Sequence, residues 1–272
     1  MADAKHVSKA ELKAKDFVPR GKKSSSPFNT TLFLSLRVLD CYVQYLILSK
    51  AYGAALIKFL GGDVIPFTEP LHTGISPIDH LGLSAYRLVL LTMVSTTTVK
   101  HIWFVTCVAQ EAWTVLGAVV VGFYNIATNT LNSLLFLCAA TSATSLSAGE
   151  TLENPYLLIG VVLFSLGIGA EWQCEVHRKA FKEDPRNKGK AFTQGLFAVV
   201  RHPNYAGYSL WRGAGALATS GITSGLLTGA FWLYDFSSRA IPALDEYCSK
   251  RYGAMWTEYK KRTPFTLIPF VV

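Results

Sequence analysis

The sequence predicts an all-α fold, a polytopic bundle of membrane-spanning helices, and three observations lead to this prediction. Of the 272 residues, 50% are hydrophobic and only 16% are charged, whereas a soluble domain carries about 25% charged residues. The mean hydropathy is +0.29. Long apolar runs recur along the chain, and about 20 apolar residues suffice for a helix to cross a bilayer. These observations exclude a soluble cytosolic enzyme and a disordered chain, and they predict about six to eight spans.

The first candidate helices are separated by turn-forming segments. Residues 31–49 contain Arg37 and Asp40, which lie three residues apart and can therefore pair on one helix face. A shorter apolar piece at 51–67 is a possible additional span, and it leads into a loop rich in glycine and proline. The next candidate spans are residues 81–99, 101–121, 124–143 and 155–172.

The later helices carry clear boundary signals. Pro155 suits the first turn of a helix, and Asn154 before it is a good N-cap. The last candidate covers residues 208–236, and Gly221 could fold this stretch into a hairpin of two helices. Glycines at four-residue spacing after Gly221 predict a face on which two helices pack closely.

Basic residues are concentrated in three clusters. The formal net charge is +8, and most Lys and Arg residues lie in the first 26 residues, at 178–201 and at 239–262. Such clusters beside apolar segments are typical of the cytoplasmic side, where they also face anionic lipid. The two C-terminal clusters would equally suit an anionic ligand. We therefore expect the C-terminal region to face the cytosol.

Three regions are predicted. Residues 1–28 are a disordered basic cytosolic tail, 29–170 are the N-terminal transmembrane helices, and 171–272 are the region that carries the chemistry. The five cysteines are scattered and show no metal-ligand spacing. We expect no metal site and no nucleic-acid partner.

Polar residues gather at the start of the C-terminal region. Glu171, Cys174, Glu175 and Arg178 share one helix face, which is either a solvated helix end or part of a site. Further on, Pro203 can open a helix at its first turn. A helix that starts at Pro203 places four polar side chains at its N-terminus, namely Arg201, His202, Asn204 and Tyr205. An anion is favoured at such a position.

An aromatic and charged stretch follows near the end of the chain. If it is helical, Tyr252, Trp256 and Tyr259 share one face. This face is either an interfacial aromatic belt or a cover for a planar ligand. In the second interpretation, Asp245 or Glu246 accepts a hydrogen bond from a ribose or an amine.

These motifs resemble one enzyme superfamily over residues 171–270. The pattern Arg201-His202-Pro203-Asn204-Tyr205-x-Gly207, with the acidic, aromatic and Thr263-Pro264-Phe265 motifs after it, resembles the C-terminal half of the sterol reductases. The stretches around Glu175-x-His177-Arg178 and Asn187-Lys188-Gly189-Lys190 resemble the related steroid 5-alpha-reductase C-terminal (DUF1295) group.

The resemblance implies a membrane enzyme of the endoplasmic reticulum. It would use NADPH to reduce a carbon–carbon double bond in a sterol or another lipophilic small molecule. Membrane lipid and this substrate are the expected partners. The cofactor contacts implied by motif position are Arg178, Asn187, Lys190, Arg201, His202, Asn204, Tyr205, Asp245, Glu246, Tyr252 and Tyr259. The candidate catalytic proton donors are Tyr208, Tyr205 and Glu111.

Two departures from the reductases keep other functions open. Tyr208 stands where the reductases carry an acidic residue, and Ile241-Pro242-Ala243-Leu244 replaces their arginines before the acidic pair. The isoprenylcysteine carboxyl methyltransferases share the Arg-His-Pro-x-Tyr-x-Gly pattern and a large aromatic residue at the position of Tyr208. They imply S-adenosylmethionine as the alternative cofactor, with its sulfonium against an aromatic face. A non-catalytic lipid-binding membrane protein is a third possibility.

Overall fold

The described part of the chain is helical. A computed structural model describes residues 24–109 and 112–271. Within these residues the only β pairing is an isolated bridge between Val64 and Cys138. The predicted all-α fold is confirmed, whereas most of the predicted tail lies outside the described residues.

Ten α-helices follow one another in the described residues. They are α1 (Pro27–Lys50), α2 (Ala54–Phe59), α3 (Ser76–Asp79), α4 (Ala85–Trp103), α5 (Val115–Leu137), α6 (Ala143–Leu146), α7 (Pro155–Glu183), α8 (Pro203–Asp235), α9 (Ile241–Tyr252) and α10 (Ala254–Arg262). A π-helical turn extends α4 to Val108, and a second one joins α8 to α9.

Four helical stretches among the described residues are long and apolar enough to cross a membrane. They are Pro27–Lys50, Ala85–Val108, Pro155–Glu183 and Pro203–Tyr252. The 23-residue α5 packs along α1 inside the same bundle. The chain is an integral membrane protein, and the count of six to eight spans stays a prediction.

The structure corrects two predicted helix boundaries. The candidates at 81–99, 101–121 and 124–143 form two helices and not three, because α4 continues through a π-helical turn to Val108 and α5 runs unbroken from Val115 to Leu137. The hydroxyl of Thr114 caps that helix by accepting from the Gly117 N–H at 2.9 Å. The stretch 51–67 forms only the short α2, because glycines flank it on both sides.

The helix directions bring the N-terminus of α1 to the same end of the bundle as the candidate site. The rings of Phe33, in α1, and His101, in α4, lie 6.2 Å apart. Lys100 next to His101 contacts Glu171 and Glu175 in the second half of α7. The starts of α1 and α8 and the ends of α4 and α7 therefore share one end, as the charge clusters require. Which side of the membrane this is stays a prediction.

Helix α8 is a hairpin of two antiparallel arms, as predicted. Its backbone breaks at Ser220 and Gly221, and Gly221 adopts φ 78° and ψ −174°, a conformation open essentially only to glycine. The arms meet at Gly213, where an added Cβ would lie 2.9 Å from the carbonyl oxygen of Gly225. The hairpin returns the chain to the end at which α8 began.

Helix α7 lies so close to α8 that an added methyl group at the contact does not fit without moving the helices. A Cβ at Gly167 would lie 2.7 Å from the Trp211 amide nitrogen and 2.8 Å from the Gly207 carbonyl oxygen. We expect Gly167→Ala to push the helices apart and to lower the free energy of unfolding by about 1–3 kcal/mol. Thermal unfolding in detergent measures this change. Gly169→Ala on the same helix is the matched control, because nothing lies within 4 Å of its added Cβ. Equal melting temperatures for the two variants would contradict the close contact.

Candidate functional site

The C-terminal segment lies against the first turn of α8. This helix begins at Pro203, as predicted, and His202 before it is 2% exposed. The backbone N–H groups of Arg201 and His202 donate to the carbonyl oxygens of Phe265 and Thr266 at 3.0 and 2.9 Å. The structure thus brings together the two stretches that carry the motifs.

The guanidinium of Arg201 positions this C-terminal segment. Its Nη1 donates to the carbonyl oxygens of Thr263 and Pro264 at 2.8 and 2.6 Å, and its Nη2 donates to Thr266 Oγ1 at 2.8 Å. The side chain predicted to contact the cofactor therefore already makes three hydrogen bonds within the protein.

The acidic and aromatic residues of the tail tie α9 to α10. Gly253 separates the two helices, so the predicted aromatic face spans a break rather than one helix. Asp245 accepts from Trp256 Nε1 at 2.7 Å and from Lys260 Nζ at 3.0 Å. The Tyr259 hydroxyl donates to the carbonyl oxygen of Phe197 at 2.7 Å, and burial raises the pKa of this phenol. Asp245 and Tyr259, two of the predicted cofactor contacts, thus already have hydrogen-bond partners within the protein. Glu246 pairs with the exposed Lys250.

The loop between α7 and α8 contributes the remaining polar candidates. Asn187 Nδ2 donates to the carbonyl oxygen of Phe181 at 3.1 Å, which closes the end of α7. Lys190 is exposed and Arg178 is half-buried. Lys182 Nζ lies 3.4 Å from the Tyr252 hydroxyl and so connects α7 to the end of α9.

Four rings form what we call the aromatic cluster, namely Tyr205, Tyr208, Trp232 and Phe236. Tyr205 stacks on Phe236 with centroids 4.4 Å apart and an interplanar angle of 6°. Tyr208 meets Trp232 and Phe236 edge-on at 4.9 and 5.3 Å. Trp232 is 7% exposed, and its buried Nε1 has no hydrogen-bond partner in the described residues. The cluster joins the start of α8 to the returning arm of the hairpin.

A buried polar network that the sequence did not predict lies on the inner side of Tyr208. Arg212 is 3% exposed, and its Nε and Nη2 donate to the Tyr208 hydroxyl oxygen at 3.1 and 2.9 Å. Its Nη1 donates to Asn129 Oδ1 at 3.2 Å, and its Nη2 also donates to Asn125 Oδ1. An ionisable residue inside an apolar helix is the one sequence signal that points to such a site.

A second buried cluster joins α4 to α7. Lys100 Nζ contacts the carboxylates of Glu171 and Glu175, at 3.2 Å in the second case. Trp211 Nε1 donates to Glu171 Oε2 at 2.7 Å. The predicted shared face of α7 is therefore buried rather than solvated over these glutamates. Glu111, the third predicted proton donor, lies outside the described residues.

The comparisons with known proteins identify the family. Residues 110–263 match the family described as proteins of unknown function, DUF1295. The chain belongs to the DUF1295 family. The match begins in the connection between α4 and α5 and ends just after α10. It therefore contains the aromatic cluster and Arg212.

Relatives of this DUF1295 protein are named as two kinds of enzyme. A probable O-methyltransferase, ustE, of Ustilaginoidea virens is 60% identical over 256 residues, which are 93% of this chain and 90% of the relative. The protein-S-isoprenylcysteine O-methyltransferase of Schizosaccharomyces pombe is 31% identical over 126 residues, 45% of this chain and 52% of that protein. The Delta(14)-sterol reductase TM7SF2 of Mus musculus is 39% identical over 82 residues, 28% of this chain and 18% of that protein. The predicted superfamily is confirmed.

Proposed function

We propose that this protein is a membrane-embedded, S-adenosylmethionine-dependent O-methyltransferase of a lipophilic small molecule. The observation that carries the proposal is the 60% identity to a probable O-methyltransferase over 90% of that relative's length. The sterol reductase matches only 82 residues, which are 18% of its length. The likeness to the methyltransferase covers 93% of this chain, whereas the likeness to the reductase covers 28%.

The aromatic cluster supports a sulfonium-bearing cofactor. S-adenosylmethionine supplies, when bound, a methyl group on a positively charged sulfur. The rings of Tyr208 and Trp232 already lie 5.2 and 5.4 Å from the guanidinium carbon of Arg212, so this desolvated cluster is of a kind that stabilises a cation. The buried Nε1 of Trp232 offers an unused hydrogen-bond donor in the same place.

The first turn of α8 supports binding of the cofactor's carboxylate. Asn204 is half-buried, and its side chain makes no hydrogen bond to the described residues. The positive end of the α8 macrodipole favours an anion beside this turn. NADPH instead carries three phosphate groups, and the guanidinium of Arg201 is already engaged by Thr263, Pro264 and Thr266. Arg201 is therefore not free to bind a phosphate group of NADPH.

Residues predicted for a reductase receive new roles in this proposal. His202 and Tyr205, stacked at 5.6 Å, would shape the wall of the cofactor pocket, and Arg178 and Lys190 would face its opening. Tyr208 would position the guanidinium of Arg212 and would not donate a proton. We further propose that residues 171–272 form the catalytic region and that this end of the bundle faces the cytosol from the endoplasmic reticulum.

Ligand binding to the detergent-purified protein tests the proposed function. We expect saturating S-adenosylmethionine to raise the melting temperature by about 5 °C, because a ligand at 100 times its Kd stabilises the folded state by about 2.7 kcal/mol. NADPH at the same concentration is expected to leave it unchanged. A shift with NADPH and none with S-adenosylmethionine would overturn the proposal in favour of reduction. No shift with either would favour a non-catalytic lipid-binding protein.

A further inference from the structure

Arg212 carries a buried positive charge that no carboxylate of the described residues neutralises directly. Its hydrogen-bond acceptors among the described residues are a phenol oxygen and two amide oxygens, from Tyr208, Asn125 and Asn129. The nearby carboxylate of Asp40 already pairs with Arg37 and accepts from Asn129 Nδ2 at 2.7 Å. This network thus holds two guanidinium groups against one carboxylate. A surplus charge in an apolar interior is costly unless an anion compensates it.

A small cavity with a mostly apolar lining and several polar side chains adjoins the guanidinium. Its volume is about 40 Å³, and Thr97 of α4 and Asn129 and Ser133 of α5 line it together with Arg212 of α8. Such a volume exceeds the roughly 10–15 Å³ that one water molecule requires. It is too small for a whole lipophilic molecule, but it accommodates the polar end of one. The rings of Trp211 and Phe164 also border it.

The hydrogen bonds of Arg212 limit what the cavity can recognise. Four of the five N–H groups of a guanidinium are accounted for by the bonds to Tyr208, Asn125 and Asn129. The remaining N–H is on Nη1. Two parallel donors, which a carboxylate prefers, are therefore not available, whereas a single oxygen needs only one.

We propose that Arg212 and the cavity beside it form the acceptor subsite, which holds the ionised hydroxyl oxygen of a phenol-type substrate. The proposal rests on the proposed methyltransferase function and specifies its substrate class. Tyr208 links the two parts of the site, since its hydroxyl contacts Arg212 and its ring contacts Trp232 and Phe236. An acceptor held by Arg212 and a methyl donor at the aromatic cluster would consequently both contact Tyr208 and could meet beside it.

The methyl transfer needs no reactant besides the phenolate and the methyl donor. A lone pair of the phenolate oxygen forms the new O–CH₃ bond, and the electrons of the S–CH₃ bond remain on sulfur. The anionic oxygen becomes a neutral ether and the sulfonium becomes a neutral thioether. The phenol proton leaves to solvent before the transfer, because the guanidinium stabilises the ionised form.

Calorimetric titration of the full-length protein in detergent tests the subsite, with 2-naphthol and 2-naphthoic acid as probes and empty micelles as the blank. We expect 2-naphthol to bind more tightly than 2-naphthoic acid. Arg212→Gln is expected to weaken the binding of 2-naphthol about tenfold or more, since a charged hydrogen bond is lost. Asn125→Asp should weaken it comparably, because this near-isosteric change supplies an internal anion to Arg212. Arg186→Gln is the matched control, at a side chain that is 88% exposed.

The melting-temperature shift with S-adenosylmethionine separates the two proposals. If wild type and both subsite variants show this shift but bind 2-naphthol equally, the acceptor subsite is wrong and the methyltransferase stands. Tighter binding of 2-naphthoic acid would equally reject the single-oxygen subsite. If wild type shows no shift with S-adenosylmethionine, the proposed function itself fails. Asn125→Asp covers the case in which Arg212→Gln does not fold.

Discussion

Replacing Lys100 with methionine is expected to lower the free energy of unfolding by about 3–5 kcal/mol. Lys100 is 2% exposed and sits between Glu171 and Glu175, which are 8% and 5% exposed. Methionine preserves the apolar stem but leaves two carboxylates in the interior without their cation. Thermal unfolding in detergent, or unfolding by a denaturing detergent, measures the change.

A surface lysine of the same bundle provides the control for this variant. Lys179 pairs with Glu183 at 2.7 Å, but the two side chains are 32% and 54% exposed. Exposed pairs contribute about 0–1 kcal/mol, so Lys179→Met is expected to be nearly neutral. Combining Lys100→Met with Glu171→Gln and Glu175→Gln should restore most of the lost stability. If Lys100→Met and Lys179→Met unfold alike, the buried cluster does not stabilise the bundle.

Arg201→Ala is expected to release the C-terminal segment from α8 and to abolish cofactor binding at the same time. The variant loses three hydrogen bonds from a charged donor, and each such bond contributes about 1.5–3 kcal/mol when buried and less when partly exposed. We expect a lower melting temperature, faster proteolysis after Tyr259, and no stabilisation by S-adenosylmethionine. Arg201→Lys should not rescue these losses, because one ammonium group cannot reproduce the planar fork.

Asn204→Ala separates binding from folding. Its side chain makes no hydrogen bond to the described residues, so the melting temperature and the proteolysis pattern should match those of wild type. Only the shift with S-adenosylmethionine should be lost. An Arg201→Ala protein with wild-type stability, or an Asn204→Ala protein with an unchanged cofactor shift, would contradict this division of roles.

Features that depend on neighbours along the chain were predictable from the sequence. Composition identified a helical membrane protein, Pro203 marked the start of α8, and Gly221 marked the turn of its hairpin. The spacing of Arg37 and Asp40 predicted a pair that the structure contains. Each of these follows from local backbone geometry, from helix periodicity or from the length of an apolar run. Where no turn signal exists, as between residues 99 and 101, the same reasoning misplaced a helix boundary.

Only the tertiary structure decided which polar side chains meet. Lys100 and Glu171 are 71 residues apart, and Arg212 and Asn125 are 87 residues apart. Periodicity assigns a side chain to a face of its own helix, but the partner on another helix depends on how the helices pack. For the same reason the motif identified Arg201 as a binding residue, whereas its contacts with Thr263, Pro264 and Thr266 reveal a positioning role. A polar group in an apolar interior has to find a partner, and the packing of the bundle determines which one it is.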